Sequence, residues 1–298
     1  MEKVVVTGGA GFIGSHLVNR LLDDGFEVSV IDNLLSGKKE NVDSRAKFFK
    51  ADIRNEKEIA EVFKDAKYVF HLAAIPSVQY SIENPEETSE VNLLGTINVL
   101  NLAKNAGVKR VIYTSSSAVY GDVKSLPTKE NDEINPKSPY ALQKYAGELY
   151  CKLFSEIYGI ETVCLRYFNV YGEGQSSVGA YASVIAKFLE LNGKKLPLTI
   201  FGDGKQTRDF INVSDVARAN ILAATSDKVG RGESINIGSG KRYSVNEIAK
   251  IFGGEIKYLP PRIEPKDSMS DISKAKSLLD WEPNISLEDG LKVLLQNS

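Results

Sequence analysis

A glycine-rich stretch near the beginning of the chain constrains the fold more than any other feature. Three valines at residues 4–6 predict a buried strand, and residues 7–14 follow it directly with the sequence Thr-Gly-Gly-Ala-Gly-Phe-Ile-Gly. A helix-length segment begins at the end of this stretch. Gly8, Gly11 and Gly14 permit a tight turn, close approach of the backbone to a phosphate and close helix packing. The pattern predicts a loop that holds a pyrophosphate at a helix N-terminus.

An acidic residue, Asp32, ends the second predicted strand at residues 28–31, eighteen residues after Gly14. A carboxylate in this place accepts hydrogen bonds from the adenosine ribose hydroxyls and repels a 2′-phosphate. No arginine lies beside Asp32 to hold such a phosphate. The sequence therefore predicts NAD as the cofactor and disfavours NADP.

Apolar runs alternate with helix-length segments up to about residue 170, which is typical of a parallel sheet with helices on both faces. The predicted strands are residues 4–6, 28–31, 47–49, 68–72, 111–113 and 162–165. The predicted helices are residues 13–22, 56–63, 86–106 and 140–158. We therefore predict the α/β class, with a doubly wound, NAD-binding Rossmann domain over residues 1–170.

Beyond residue 170 the rhythm changes, because glycine and proline interrupt the pattern more often. Short strands are predicted at residues 198–201 and 234–237, and short helices at residues 213–224, 245–251 and 287–295. This pattern predicts a smaller C-terminal α/β lobe over residues 171–298. The boundary has no clean linker, so part of the later chain can return to the first domain.

Composition excludes several classes of function. The net charge of −2 and scattered basic residues disfavour nucleic acid, and no signal peptide or membrane span is expected. The cysteines, Cys151 and Cys164, form no CxxC pair, which favours a reducing compartment and a cytoplasmic location. A metal site or a Ser-His-Asp triad would have to use His16 or His71, the only histidines, and neither site is predicted.

A second group of residues can carry chemistry. Tyr140 and Lys144 are four residues apart in a predicted helix and share one face. Alone, such a pair is more typical of a helix surface. However, the strand predicted at residues 111–113 runs into one threonine and three serines at residues 114–117. Because the carboxyl ends of parallel strands face the ligand crevice, we expect the serines and the Tyr-Lys pair to face a cofactor.

These motifs together resemble the extended short-chain dehydrogenase/reductases, and most of all the UDP-sugar 4-epimerases. The resemblance covers essentially the whole chain. It is carried by the glycine loop with Asp32, the Ser-Ser-Ser-Ala-Val-Tyr-Gly run at residues 115–121, Tyr140 with Lys144, Arg-Tyr-Phe-Asn at residues 166–169 and Arg-Asp-Phe at residues 208–210.

The resemblance implies a reaction at C4 of a UDP-hexose through a transient 4-keto sugar. Tyr140 is expected to take the proton of the sugar hydroxyl while NAD takes the hydride, and Lys144 to favour the phenolate and hold the nicotinamide ribose. Ser116 is expected to hydrogen-bond the reacting hydroxyl and Tyr140, because it lies four residues before Tyr120 in the family motif. Ser117 is the alternative.

The resemblance also implies which residues contact NAD and which contact the nucleotide sugar, and it implies that the C-terminal lobe binds that sugar. The expected cofactor-binding residues are Gly8, Gly11, Phe12, Ile13, Gly14, Asp32, Asn33, Asp52, Ile53, Leu72, Ala73, Ala74, Asn92, Tyr140, Lys144, Tyr167 and Phe168. The expected substrate-binding residues are Ser116, Ser117, Tyr140, Asn169, Thr199, Phe201, Arg208, Arg262, Glu264 and Ser268. Similar proteins form homodimers through the helices at residues 86–106 and 140–158, so a homodimer is expected.

Three details bear on the member of the family. Similar dehydratases carry an Asp-Glu pair where this chain has Ser117 and Ala118, and decarboxylases carry Glu at the second position, so elimination and decarboxylation lack their carboxylates. Ser268 aligns with a site where a bulky tyrosine restricts some epimerases, and it either leaves room for an N-acetyl group or is a plain loop residue. The family's Arg-x-Gly-Asp run is shortened here at residues 262–264, which leaves the nucleotide open.

Two alternatives to the epimerase remain at this point. One is another reaction on the same scaffold, by a reductase or a 4-keto-sugar-forming enzyme. The other is a non-enzymatic regulator that binds NAD, against which the complete set of Ser116, Tyr140 and Lys144 argues. Bound NAD that survives purification without net turnover would favour the epimerase.

Overall fold

The computed structural model describes residues 1–177, 183–261 and 266–296. In chain order its strands are β1 (Lys3–Thr7), β2 (Glu27–Asp32), β3 (Lys47–Lys50), β4 (Ala66–His71), β5 (Arg110–Ser116), β6 (Glu161–Tyr167), β7 (Asn169–Tyr171), β8 (Leu198–Phe201), β9 (Thr207–Arg208), β10 (Phe210–Asn212), β11 (Arg231–Ile237), β12 (Tyr243–Ser244) and β13 (Ile256–Leu259).

The α-helices of the same part of the chain are α1 (Phe12–Asp23), α2 (Glu56–Ile59), α3 (Val78–Glu83), α4 (Pro85–Ser89), α5 (Gly95–Asn105), α6 (Pro139–Tyr158), α7 (Val184–Gly193), α8 (Val213–Thr225), α9 (Val245–Phe252), α10 (Ser273–Leu279) and α11 (Leu287–Gln296). Short 3-10 helices are Lys39–Asn41, Ala60–Phe63 and Ser117–Tyr120, and Glu90–Leu94 is a π-helical turn.

A parallel seven-stranded sheet forms the centre of the described structure. Its strand order is β3-β2-β1-β4-β5-β6-β11, and every neighbouring pair in it is parallel. The order reverses between β1 and β4, so a crevice opens at the carboxyl ends of these two strands. The predicted doubly wound α/β fold is confirmed.

Both faces of the sheet are covered at its centre, which explains the uninterrupted apolar runs in β1 and β4. Successive side chains of a strand point to opposite faces. In β1, Val4 and Val6 therefore join a core that includes residues of α1 and α8. Val5 joins a second core that includes residues of α5 and α6. The two helix layers fix the sheet edge at which the functional side chains emerge.

The helix predicted over residues 86–106 is interrupted. The structure has α4, then the π-helical turn Glu90–Leu94, then α5. A Cβ atom on Gly95 would lie 2.6 Å from the side chain of Ile53, so glycine lets the helix approach the loop after β3 closely. Helix α3 was not predicted, because its six residues are too few for helical periodicity to show.

The later part of the chain contributes to two regions. Strand β11 lies at the edge of the large sheet beside β6, with α8 on one face. Residues of α7, α9, α11, β8 and β10 form a separate core. A domain boundary at residue 170 stays a prediction, because β11 and α8 follow that residue in the chain and yet pack with the large sheet. Among the described helices, none has the length and apolar character needed to cross a bilayer.

Candidate active site

The glycine loop connects β1 to α1 at the crevice. Gly8 has a φ of +75°, which glycine adopts without strain. A Cβ atom on Gly14 would lie 2.1 Å from the carbonyl oxygen of Gly8, so a larger residue would force the loop to move. Gly11 donates its N–H to the same oxygen at 3.2 Å. No side chain caps the N-terminus of α1, as expected where the first N–H groups of a helix bind an anion.

Asp32 ends β2 and is tied to the glycine loop. Its Oδ2 accepts the N–H of Ala10 at 3.0 Å, and its Oδ1 accepts the N–H of Leu34 at 2.8 Å. A carboxylate oxygen can accept more than one hydrogen bond. Asp32 can therefore hold the loop in place and still accept a ribose hydroxyl.

The residues expected near adenine meet at the ends of β2 and β3. The side chain of Asn33 donates to Asp52 at 2.9 Å. Hydrogen bonds and charge from Arg54 lower the pKa of Asp52 to about 2, against the effect of burial. Ile53, which follows Asp52, is buried. These contacts form one wall beside Asp32.

The end of β4 lies against the glycine loop. The N–H of Ala73 donates to Thr7 Oγ1 at 3.3 Å, and Leu72 and Ala74 flank it, all three partly buried. The His71 ring lies between Thr7 Oγ1 at 2.7 Å and Thr96 Oγ1 at 2.9 Å. Burial, with a smaller contribution from a neighbouring lysine, lowers the pKa of His71 to about 3. This histidine is therefore a neutral structural bridge between β1 and α5.

Ser116, Tyr140 and Lys144 lie together at the carboxyl end of β5. Ser116 is the last residue of β5, and its side chain lies close enough to the Tyr140 phenol to lower the pKa of that phenol. The Nζ of Lys144 donates to the carbonyl oxygen of Thr114 at 2.7 Å. It lies 6.0 Å from the centre of the Tyr140 ring. Ser117, the alternative serine, begins the following 3-10 helix.

Two serines set the start of the helix that carries Tyr140. Ser138 is the N-cap of α6 and accepts the N–H of Ala141 at 3.2 Å. Ser81, from α3, accepts the N–H of Tyr140 at 3.0 Å. Pro139 takes the first helical position, where its missing N–H is harmless. The first turn of α6, which carries Tyr140, is thus held by both serines.

Burial opposes charge on both members of the Tyr-Lys pair. It raises the pKa of Tyr140 to about 12, although the interaction with Ser116 lowers it. Burial also lowers the pKa of Lys144 to about 8, although the charges of Cys151 and Glu148 raise it. The protein alone therefore disfavours a phenolate. A positively charged ligand beside Tyr140 would favour it.

Three expected cofactor residues have further partners. Asn92, in the π-helical turn, donates from Nδ2 to Ile75 and to Gln143 and accepts the N–H of Ile75. The hydroxyl of Tyr167 is hydrogen-bonded to Asn220. Phe168 belongs to a small buried cluster next to the Ser117–Tyr120 helix. These contacts are structural, and a direct role of the three residues toward NAD stays a prediction.

The residues expected to hold the nucleotide diphosphate gather around Asp209. Nδ2 of Asn169 donates to the carbonyl oxygen of Asp209 at 3.1 Å and lies 3.5 Å from Ser268 Oγ. The N–H of Asp209 donates to Ser268 Oγ at 3.3 Å. Arg208 directly precedes Asp209 in the chain. Its side chain donates to the carbonyl oxygens of Thr207 at 2.9 Å and Lys266 at 3.3 Å. Asn169, Arg208 and Ser268 are thereby brought together.

The other expected substrate residues are placed less closely. Thr199 and Phe201 lie on β8, which pairs in parallel with β13. Arg262 and Glu264 lie outside the described residues. A cavity of about 370 Å³ opens between residues 122–126 and the pair Lys266 and Asp267, next in the chain to Ser268. It is large enough for a sugar-sized group.

Sequence reasoning quoted Asp209 only as part of a motif and missed its role. Its side chain is fully buried and accepts hydrogen bonds from the N–H and hydroxyl groups of Ser239 and Ser270 and from the N–H of Gly240. A carboxylate directly before the apolar residues 210–211 was the available signal, because a buried carboxylate needs several donors. The sequence around Ser81 gave no sign that its hydroxyl would accept the N–H of Tyr140.

Comparisons with known proteins identify the family of the chain. Residues 4–238 match the model of the NAD dependent epimerase/dehydratase family. A putative UDP-glucose 4-epimerase of Methanocaldococcus jannaschii is 46% identical over 97% of this chain and 96% of its own length. The UDP-glucose 4-epimerase of Thermotoga maritima, solved with UDP-glucose, superposes with a TM-score of 0.94 at 41% identity, over 99% of this chain and 97% of that one.

A further solved structure concerns the range of sugars. The UDP-N-acetylglucosamine 4-epimerase of Methanobrevibacter ruminantium, in complex with UDP-N-acetylmuramic acid, also superposes with a TM-score of 0.94. It is 40% identical over 99% of this chain and 97% of that chain. Similar structures thus include enzymes named for either a plain or an N-acetylated hexose.

Proposed function

The chain belongs to the NAD-dependent epimerase/dehydratase family, and on that premise we propose that it inverts C4 of a UDP-hexose. UDP-glucose and UDP-galactose are the expected substrate pair. The observation that carries the proposal is the cluster of Ser116, Tyr140 and Lys144 at the crevice beside the glycine loop. The relatives named for this reaction support it along almost the whole chain.

The residues present fit NAD. The loop at Gly8 to Gly14 has no room for a Cβ at Gly14, and Asp32 ends β2 where a ribose would lie. Gly11 and the first turn of α1 would hold the pyrophosphate, and Asp32 the adenosine ribose. When bound, NAD supplies a reversible hydride acceptor and a positive charge.

The protein's own residues transfer the proton of the C4 hydroxyl. Tyr140 takes the proton of the sugar hydroxyl at its Oη and later returns one. Ser116 hydrogen-bonds the phenol and orients the reacting hydroxyl. Lys144, held on Thr114, places an ammonium near the phenol and stabilises its anion. Ser117 and Ala118 offer no carboxylate, so this chain has no acid-base pair there for elimination.

Ser268 is proposed as the residue that decides the range of sugars. It is partly buried. Its hydroxyl oxygen accepts hydrogen bonds from the side chain of Asn169 and from the N–H of Asp209, beside the proposed diphosphate residues. A small side chain here leaves space for an N-acetyl group. Ser268→Tyr should then reduce turnover of UDP-N-acetylglucosamine far more than that of UDP-glucose. Equal loss on both would defeat this clause.

One experiment tests the proposed reaction directly. Purified protein is incubated with UDP-glucose, UDP-galactose and UDP-N-acetylglucosamine, and the products are separated. Interconversion of glucose and galactose forms with no net change in NAD is expected. Formation of a stable 4-keto sugar, or no product, would overturn the proposal. Tyr140→Phe serves as the control for contaminating activity.

A homodimer is proposed through the outer sides of α5 and α6. Leu149, Leu153 and Ile157 are 45%, 46% and 64% exposed on α6, and their spacing places them along one side of the helix. Leu153→Glu should shift the protein from dimer to monomer in light scattering. Val293→Glu, at a residue 55% exposed on α11, should not.

A cytoplasmic location is also proposed. Cys151 and Cys164 are both buried and free. Free thiols are compatible with a reducing compartment. Fractionation of cells that produce the protein should recover it with cytosolic markers.

A further inference from the structure

A buried ion pair between Glu148 and Arg166 takes no part in the proton transfer described above. Nε of Arg166 donates to Oε1 of Glu148 at 2.9 Å, and Nη2 donates to Oε2 at 2.6 Å. Each side chain is only 4% exposed. A buried pair must offset the desolvation of both charges, so stability alone is a weak reason for its presence. Its neighbours indicate a second role.

Glu148 lies on the helix that carries the proposed base. It follows Tyr140 by eight residues and Lys144 by four, so the three side chains share one side of α6. Its carboxylate also accepts hydrogen bonds from Ser115 Oγ and, at 2.8 Å, from Ser234 Oγ on β11. Ser115 directly precedes the proposed catalytic serine. The carboxylate therefore joins the helix to β5 and β11.

Arg166 extends the same connection to the far side of the site. It lies on β6, and its Nη1 donates to Tyr120 Oη at 2.8 Å and to the carbonyl oxygen of Glu130 at 3.1 Å. Tyr120 closes the 3-10 helix that follows the serine run, and its hydroxyl donates to Oδ1 of Asn236 at 2.6 Å. Strands β5, β6 and β11, helix α6 and the 3-10 helix thus share one buried network.

We propose that Glu148 and Arg166 are positioning residues that fix the depth and rotation of α6, so that Tyr140 and Lys144 face Ser116. A small slide or rotation of α6 would break the two-pronged bond and leave a charge buried without its partner. The helix therefore has one favourable position. This precision matters because a misplacement of about 1 Å in an active site can lower the rate by about 100-fold. The inference rests on the proposed function for its kinetic test only.

The pair also places a negative charge one helical turn from Lys144. Burial disfavours the ammonium of Lys144, and the Glu148 carboxylate favours it. Arg166 fixes the direction of that carboxylate by bonding both of its oxygens. Position and charge at the proposed Tyr-Lys pair therefore depend on the same contact.

Arg166→Lys is the first test, because lysine keeps the charge but lacks the planar fork that bonds both carboxylate oxygens. We expect kcat for UDP-glucose to fall by about 10-fold or more, because the proposed base is displaced. KM should stay within about two-fold and bound NAD should be retained, since neither ligand is expected to touch the pair. Hydrogen exchange should become faster over residues 139–148.

Arg110→Lys is the matched control. Arg110 is 2% exposed and pairs with Glu161, but its Nη1 donates to the carbonyl oxygens of Ala223 and Ala224 at the end of α8. Loss of this fork should speed exchange at the end of α8. It should leave residues 139–148 and kcat unchanged within about two-fold, because α6 keeps its contacts.

The outcomes test the positioning role separately from the proposed epimerase function. A folded Arg166→Lys protein with wild-type kcat and unchanged exchange over residues 139–148 would overturn the positioning role. If that variant does not fold, Glu148→Gln and the milder Tyr120→Phe are measured in the same way, and wild-type values in both would overturn it. A wild-type protein without epimerase activity would instead refute the proposed function, and exchange would still test the pair.

Discussion

Ser116, the last residue of β5, interacts through its side chain with the phenol of Tyr140 in the first turn of α6. The two residues are well separated in the chain, and they meet because a strand end and a helix start lie at one edge of the sheet. The interaction with Ser116 lowers the pKa of Tyr140, whereas burial raises it.

Loss of the phenol oxygen should remove most of the activity. Tyr140→Phe is expected to lower kcat by about 100- to 10,000-fold, the usual contribution of a positioned general base. The fold and bound NAD should be retained, because Ser81 holds the N–H of Tyr140 and Ser138 holds that of Ala141, and neither bond needs the phenol oxygen. Steady-state kinetics and the absorbance of released cofactor measure both. Full activity in this variant would mean that another group is the base.

The two candidate serines can be separated by matched substitutions. Ser116→Ala should lower kcat by about 10- to 1,000-fold, since it removes a hydrogen bond made to the reacting centre. Ser117→Ala should leave kcat within about three-fold, because Ser117 belongs to the next 3-10 helix. A reversed order of effects would assign the role to Ser117.

The buried Lys144 should make stability depend on pH. Its pKa is lowered from 10.5 to about 8 in the folded protein. Between these values the unfolded chain still holds a proton that the folded protein has released, so stability rises with pH. Urea unfolding from pH 7 to 10 should show this rise in the wild type and not in Lys144→Met.

Lys152→Met is the control for this pH effect, because Lys152 lies on the same helix with its side chain 59% exposed. It should keep the wild-type rise. The comparison stops near pH 10, because the raised pKa of Tyr140 acts in the opposite direction above that point. Parallel curves for wild type and Lys144→Met would contradict the buried location of the ammonium.

The glycine loop should tolerate no side chain at its last position. In Gly14→Ala the new Cβ would lie 2.1 Å from the carbonyl oxygen of Gly8, so the loop must move away from its phosphate-binding shape. We expect loss of bound NAD and destabilisation by about 1–3 kcal/mol, as for other overpacked sites. At Gly193 a new Cβ would meet no heavy atom within 4 Å beyond its chain neighbours and its own helix. Gly193→Ala should therefore change stability by less than about 1 kcal/mol.

Asp209 should act on substrate binding more than on the chemical step. In Asp209→Asn an amide N–H₂ would face donors from Ser239 and Ser270, which costs about 1–3 kcal/mol of stability. Because Asn169 and Ser268 bond to the same backbone segment, KM for UDP-glucose should rise by about 10-fold with kcat little changed. Asp203→Asn, with a side chain 66% exposed in the same lobe, should behave as wild type in thermal unfolding and kinetics.

The periodicity of the sequence was sufficient for the architecture. Each strand predicted before residue 170 is present within a few residues, because each contains a short and mostly apolar run. Predicted helices such as residues 13–22 and 140–158 also match α1 and α6. The π-helical turn at Glu90–Leu94 was not predicted, since apolar spacing does not distinguish it from the α-helices on either side.

Local chemistry in the sequence also determined the candidate residues: the glycine loop, Asp32, the serine run and the Tyr-Lys pair each stand in a short, readable motif. Only the tertiary structure decided which groups touch. It joined Ser116 to Tyr140, set Glu148 against Arg166 and gathered Ser239, Gly240 and Ser270 around Asp209. Such contacts link residues that are distant in the chain, and their geometry depends on how helices are seated on the sheet. Burial, which shifts the pKa values of Tyr140 and Lys144 in opposite directions, likewise exists only once the chain is folded.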